Sequence, residues 1–259
     1  MYTLITGATG GIGKAFAFNL AKKGEKLFLT GRNKDKLTAL KTQIEKDYKV
    51  SIITFPCDLT SESDRENLLN YIKENNIKIF RLINVAGVDT QKAVEDYSKE
   101  KFLFQLKVNC EGTLCLTHGL IGGQESLSEI LTISSMSGVS PMPYFALYSA
   151  SKGMLTSFFT SLHYELKSKV KVTVVLPGGV YTREDIVKEI KTQGLWGKLS
   201  AKSPDFVAEK SLKALNKNKV KYIPGFFNRL LNFTMKFLPK SLILTFIARR
   251  WKTHQKDAF

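Results

Sequence analysis

Short apolar runs alternate with amphipathic stretches from the first residues onward. Tyr2, Thr3, Leu4 and Ile5 read as a buried strand. Across residues 12–23, Ile12, Phe16, Leu20 and Ala21 recur at helical spacing, and Gly24 supplies the stop. A second strand is expected at 26–30, then a charged helix at 34–47 with Leu37, Leu40 and Ile44 on one face, and a third strand at 50–55. A helix at 65–75, a fourth strand at 79–85 and a long helical region at 102–120 follow. Two more strands are expected, at 130–133 and 170–176.

Strand–helix–strand repetition at this spacing calls for crossovers, a parallel sheet and helices on both faces. The expected fold is therefore α/β and doubly wound. No Pro/Gly/Ser-rich linker and no short internal repeat divides the chain, so one domain is expected over residues 1–225. The segment 226–259 is set apart as a basic, amphipathic helical tail.

Composition narrows the classes. The 259 residues are 43% hydrophobic and 24% charged, which fits a water-soluble globule and excludes intrinsic disorder. Three cysteines (Cys57, Cys110 and Cys115) are too few and odd in number for a disulfide scaffold, so a reducing, cytoplasmic compartment is expected. The first residues lack a basic segment and a long apolar core, and run straight into a glycine motif. No stretch reaches the roughly 18 apolar residues that cross a bilayer. Thirty-nine Lys and Arg against 23 Asp and Glu leave a formal charge of +16. Nucleic acid, anionic lipid or an anionic cofactor would suit that balance. Residues 220–259 hold eight Lys/Arg against Asp257 alone, about +7 of the total.

Thr6-Gly7-Ala8-Thr9-Gly10-Gly11-Ile12-Gly13 lies between the first strand and the first helix. Glycines there let the backbone turn sharply and approach a pyrophosphate, and the helix N-terminus offers free N–H groups to the phosphates. The end of the second strand then meets an adenosine ribose. Thr30-Gly31-Arg32-Asn33 places an arginine at that point and no carboxylate before Asp35. A carboxylate would bind a 2′-hydroxyl and an arginine a 2′-phosphate, so NADP(H) is favoured over NAD(H).

Tyr148-Ser149-Ala150-Ser151-Lys152 puts a phenol and an ammonium four residues apart, on one face if the segment is helical. A free phenol has a pKa of about 10, and lowering it by about 3 units takes roughly 4 kcal/mol. A nearby ammonium in a desolvated site can supply that. Ser134 and Ser135, at the end of the fifth strand, are candidates for hydrogen-bonding a substrate carbonyl.

Taken together, Thr6-Gly7 with Gly11 and Gly13, Asp58, Asn84-Val85-Ala86-Gly87, Asn109, Ser135, Tyr148 with Lys152, and Pro177-Gly178-Gly179-Val180-Tyr181-Thr182 resemble the short-chain dehydrogenase/reductase family, in its common shorter branch. The glycines also fit the Thr-Gly-x-x-Gly-x-x-Gly pattern of a longer branch through Gly7, Gly10 and Gly13, but the chain leaves little room for that branch's larger substrate domain. Val85 stands where the family usually carries a second Asn.

The resemblance implies a Rossmann fold and a set of roles. Gly7, Thr9, Gly11, Ile12 and Gly13 would form the cofactor turn. Arg32 would meet the 2′-phosphate and Asp58 the adenine, while Asn84, Ala86 and Gly87 would line the adenosine side. Pro177, Gly178, Val180 and Thr182 would lie by the nicotinamide. Tyr148 would exchange the proton with the substrate oxygen. Lys152 would lower the phenol's pKa and bind ribose hydroxyls, Ser135 would hold the oxygen, and Asn109 would keep a water-linked relay behind Lys152. A homodimer or homotetramer is also implied, as is a substrate lid over 183–200.

Met142, Pro143, Tyr144, Phe145 and Trp196 are candidate apolar walls. His118, His163 and His254 form no spaced pair of metal ligands. In the tail, Phe226, Phe227, Leu230, Leu231, Phe237 and Leu238 recur at helical spacing beside cations, and a second apolar stretch spans 242–251. Such faces suit an interfacial helix on an anionic membrane, at its inner face, but equally a subunit contact or a cover over the substrate cleft. A nucleic-acid partner is not expected, because no recognition motif accompanies the charge. The sequence thus predicts an NADP(H)-preferring oxidoreductase acting on a small-molecule carbonyl or secondary alcohol of apolar or lipid-like character. Its rivals are a dinucleotide-binding regulator without turnover and a membrane-surface scaffold.

Overall fold

The computed structural model describes residues 1–192 and 194–252, with the side chains of residues 185, 189, 191, 195 and 196 outside that description. Seven parallel strands form one sheet: β1 (Tyr2–Ile5), β2 (Lys26–Gly31), β3 (Ile52–Pro56), β4 (Ile79–Asn84), β5 (Glu129–Ile133), β6 (Lys171–Val175) and β7 (Lys221–Tyr222). Their spatial order is β3-β2-β1-β4-β5-β6-β7, which confirms the doubly wound expectation. Every strand pairs in parallel, as in Ile5 with Leu29 and with Ile83.

Alternation along the strands sorts two cores. Ile5, Leu27, Leu29, Ile83 and Leu131 pack with α1 (Gly11–Ala21), α2 (Lys34–Asp47) and α9 (Pro204–Asn216) on one face. Leu4, Phe28, Leu82, Ile130 and Val174 point the other way, onto α3 (Glu62–Glu74), α5 (Thr113–Gly123) and α6 (Ala146–Glu165). Burial on both faces explains why the strands read as continuous apolar runs. The helix α9 was not foreseen. Its start is a Ser203 cap accepting from the Phe206 amide at 3.2 Å, with Pro204 in the first turn.

The long helical region is one helical stretch with a change of pitch. Between α4 (Lys99–Leu106) and α5, residues Lys107–Gly112 form a π turn. The strand order reverses beside β1: β2 continues on one side and β4 on the other. The crevice at the C-terminal ends of these strands is where open sheets of this kind bind ligands. After β6 the chain forms α7 (Glu184–Thr192) and α8 (Gly194–Ser200), where the lid was expected, and leaves β7 through Gly225. Gly225 has φ +92°, at the predicted boundary of the tail. Among the described residues the tail is two helices, α10 (Phe226–Thr234) and α11 (Lys240–Trp251), separated at Pro239.

Candidate active site

A cavity of about 890 Å³ opens over the crevice and runs from the β2 end to the tail. Its floor begins with the glycine turn. Gly7 has φ +60°, and a Cβ there would come within 2.8 Å of the Ala86 Cα. Thr6 Oγ1 accepts from the Val85 and Ala86 amides at 3.1 and 3.2 Å, tying this turn to the segment after β4. A Cβ at Gly11 would meet Thr182 at 2.9 Å, so the turn and the segment after β6 close on each other across the cavity. Gly7, Thr9, Gly11, Ile12, Ala86, Gly87, Pro177, Gly178, Val180 and Thr182 all line it.

Arg32 lines the β2 end, its guanidinium 5.2 Å from the ring centroid of Phe104. Asp58 lines the same end, with Oδ1 accepting from the Thr60 amide and hydroxyl, both at 2.9 Å.

Three expected residues stand behind the cavity wall rather than on it. Asn84 is the last residue of β4, and its side chain points into the interior. There Nδ2 donates to Thr117 and Thr132 hydroxyls at 3.1 and 3.3 Å. Gly13 is a packing position: a Cβ there would sit 2.2 Å from the Gly7 carbonyl oxygen. Asn109, fully buried in the π turn, pins Val88. Its Oδ1 accepts from the Val88 amide at 2.8 Å, and Nδ2 donates to the Val88 carbonyl and the Ser151 hydroxyl at 2.9 and 3.1 Å. The π turn offsets helical phase at this point, which is how one helix carries both Asn109 and the α5 core face.

Tyr148 and Lys152 lie in the first turns of α6, which the chain enters through Tyr144 at φ +61°. Ser135 and the loop behind it press onto this helix because residue 138 is glycine; a Cβ there would lie 2.6 Å from the Lys152 carbonyl. The two serines divide. Ser134, though it also lines the cavity, donates to the Lys152 carbonyl at 2.8 Å and holds Thr156, while Ser135 accepts from the Ser137 amide at 3.1 Å and acts on Tyr148.

The electrostatics differ from the expectation. Burial pushes the Tyr148 phenol above its ordinary value, the Asp89 carboxylate adds to this, and the Ser135 hydrogen bond works against both. Lys152 is itself lowered to about 8, chiefly by burial, with Cys110 and Asp89 opposing. The geometry gives the reason. Lys152 Nζ donates to the Ile133 carbonyl at 3.1 Å and sits 5.6 Å from the centroid of the Tyr148 ring, over its face. At neutral pH the pair is a protonated phenol beside an ammonium.

The roof corresponds to one of the placements the sequence left open for the tail, a cover over the cleft, with the candidate wall residue Phe145 beneath it. Phe145 stacks on Tyr148 with centroids 4.4 Å apart, and Trp251 of α11 lies 6.4 Å beyond Phe145. Leu231, Met235, Ile243 and Ile247 of the tail also line the cavity. Asn228, buried in α10, donates to the Ser200 and Pro224 carbonyls at 2.8 and 3.0 Å and fastens the tail down. Met142 and Phe145 line the cavity, whereas Pro143 and Tyr144 do not, and the Trp196 side chain and His254 lie outside the described residues. Asp89 was missed. A carboxylate just past Gly87 was the available signal.

The sequence profile described as short chain dehydrogenase matches residues 2–193. An 11-beta-hydroxysteroid dehydrogenase-like 2 protein of Arabidopsis thaliana is 33% identical over 181 residues, which cover 69% of this chain and 59% of that protein. The chain thus matches about three fifths of the plant relative's length. A very-long-chain 3-oxoacyl-CoA reductase of Bos taurus is 31% identical over 83% of this chain and 68% of its own. Among solved structures, one described through 7beta-hydroxysteroid dehydrogenase stereoselectivity superposes with a TM-score of 0.86 at 22% identity, covering 95% of this chain and 96% of that one. At that identity it supports the fold.

Proposed function

The chain belongs to the short-chain dehydrogenase/reductase family, and on that footing we propose that it is an NADP(H)-preferring oxidoreductase interconverting a carbonyl and a secondary alcohol on an apolar or lipid-like substrate. The observation that carries this reading is the meeting of Ser135, Tyr148 and Lys152 at one point of a cavity whose far wall is the apolar tail.

The cradle fits a dinucleotide: glycine at 7 and 11 lets the turn close against Ala86 and Thr182, where any side chain would collide, and leaves the backbone open to the cavity. Gly7, Thr9, Gly11 and Ile12 would hold the pyrophosphate, Asp58 the adenine end, Lys152 the ribose hydroxyls and Thr182 the carboxamide. Arg32, at the rim beyond Gly31, would pair with a 2′-phosphate. When bound, the nicotinamide supplies or takes up the hydride. Ser135 orients the substrate oxygen. Tyr148, kept protonated by its surroundings, donates a proton to that oxygen as negative charge develops on it, or recovers it in the reverse direction. Lys152 holds positive charge beneath the reacting oxygen, and Asn109 fixes the Val88 backbone and α6 relative to each other.

The relatives' names, hydroxysteroid and very-long-chain oxoacyl, denote apolar bodies bearing one oxygen function, which supports an apolar substrate here. Three unpaired cysteines support a reducing, cytoplasmic setting. Leu103, Met154 and Phe158, exposed on α4 and α6, support a homodimer or homotetramer.

The test is Tyr148→Phe. NADPH binding should stay within about twofold while carbonyl reduction falls by about 10²- to 10⁴-fold, the scale of a lost general acid. Wild-type turnover in the variant would remove the phenol from the chemistry. A wild-type protein that binds NADPH yet reduces no apolar ketone or aldehyde would favour the regulator reading.

A further inference from the structure

The tail helices are apolar on two sides. On the inner side Leu231, Met235, Ile243 and Ile247 face the cavity. On the outer side, Phe226, Leu230 and Phe233 of α10 and Phe237 in the turn after it face water, with Phe226 and Phe237 73% and 72% exposed. Leu242 and Phe246 of α11 belong to both sides: they line the cavity and are 64% and 62% exposed. Apolar surface is thus continuous from the Tyr148–Phe145–Trp251 aromatics to the outside of the protein.

We infer that this outer face docks on an anionic lipid bilayer, lying in its plane and setting the mouth of the cavity against the lipid. Contiguous exposed aromatic and leucine side chains mark an interaction surface. The charge selects the partner. Arg229, Lys236, Lys240, Arg249 and Lys252 are exposed along the same segment, and the tail carries no acidic residue before Asp257. An isologous pairing of two such faces would bring the cationic rims together, whereas anionic headgroups neutralise them. No helix among the described residues is long and apolar enough to cross a membrane, so the contact is interfacial. The inference rests on the proposed apolar substrate only for what the mouth admits. Docking itself stands on the surface alone.

The test uses the full chain and vesicles of about seven parts phosphatidylcholine to three of phosphatidylserine. The wild type should sediment with them and be released by salt. Phe226→Ser with Phe233→Ser and Phe237→Ser should bind about tenfold or more weakly, with cyclohexanone reduction unchanged because none of the three lines the cavity. In a Trp196→Phe background, brominated phosphatidylcholine should quench the emission of Trp251 at the mouth. Equal sedimentation of wild type and triple variant would overturn the inference. So would vesicle binding without quenching, or a wild-type dimer that the triple variant breaks without any lipid effect. Vesicle binding by a wild type that reduces neither cyclohexanone nor dodecanal would count against the reductase reading while leaving docking in place.

Discussion

Lys152 is 4% exposed, and its affinity for the proton has dropped from the usual 10.5 to about 8 because burial disfavours the ammonium. The folded state therefore binds this proton less tightly than the unfolded state. The penalty is fully present below pH 8, fades between pH 8 and 10.5, and is absent above. A difference of 2.5 units corresponds to about 3 kcal/mol. Lys152→Met is uncharged in both states and fills much the same space. It should escape that penalty but forfeit the hydrogen bond to the Ile133 carbonyl, worth about 1–2 kcal/mol.

The variant should then be more stable than the wild type by about 1–2 kcal/mol at pH 7, with carbonyl reduction lost. The lost hydrogen bond offsets part of the gain equally at every pH, so the pH-dependent part does not contain it. Urea unfolding of both proteins at pH 7 and pH 10 reads the change directly. The gap should move toward the wild type by most of about 3 kcal/mol over that span. A gap that stays constant between the two pH values would refute the reasoning, because it would mean that the ammonium is not held against its own desolvation.

Two further substitutions probe the ends of the cavity. Arg32→Ala should weaken NADPH by about 10- to 100-fold and leave NADH nearly untouched, since a charge-assisted pair with a 2′-phosphate is lost; equal losses, read by fluorescence titration, would contradict the assignment. Trp251→Ala should raise KM for dodecanal by about tenfold while sparing cyclohexanone, because the ring, 6.4 Å beyond Phe145, walls the outer end of the site. Parallel losses for both substrates would make Trp251 a packing residue only.

How much of this the sequence carried depends on whether the determining forces are local. The strands were legible because two-sided burial leaves apolar runs, and α2 was legible to the residue because Leu37, Leu40 and Ile44 repeat at helical spacing between an Asn33 cap and a polar exit. The Tyr148–Lys152 spacing placed both side chains on one face of α6. It said nothing about which group would dominate the other, because the burial of Lys152 depends on residues distant in the chain, such as Ile133, whose carbonyl accepts from its Nζ. Asn84 was misplaced for a simple reason. Alternation within β4 sends Ile83 and Asn84 to opposite faces, and the Asn84 amide goes inward to two threonines.

The tail is the clearest case of pattern without partner. Helical periodicity announces that a face will be buried, not what buries it, and α10 satisfies its inner face only because Asn228 fastens it to Ser200 and Pro224. Had the tail been a plain surface helix, Phe226, Leu230, Phe233 and Phe237 would be expected to be polar, since the inner stripe already meets the core requirement. Instead the outer positions are as apolar as the inner ones. Folding of this chain alone does not account for that, because exposed phenylalanines gain nothing from it. A second apolar medium would: with the inner face on the cavity and the outer face on lipid, as proposed, each stripe would be buried and the Tyr148 phenol would lie at the inner end of an apolar path out of the bilayer.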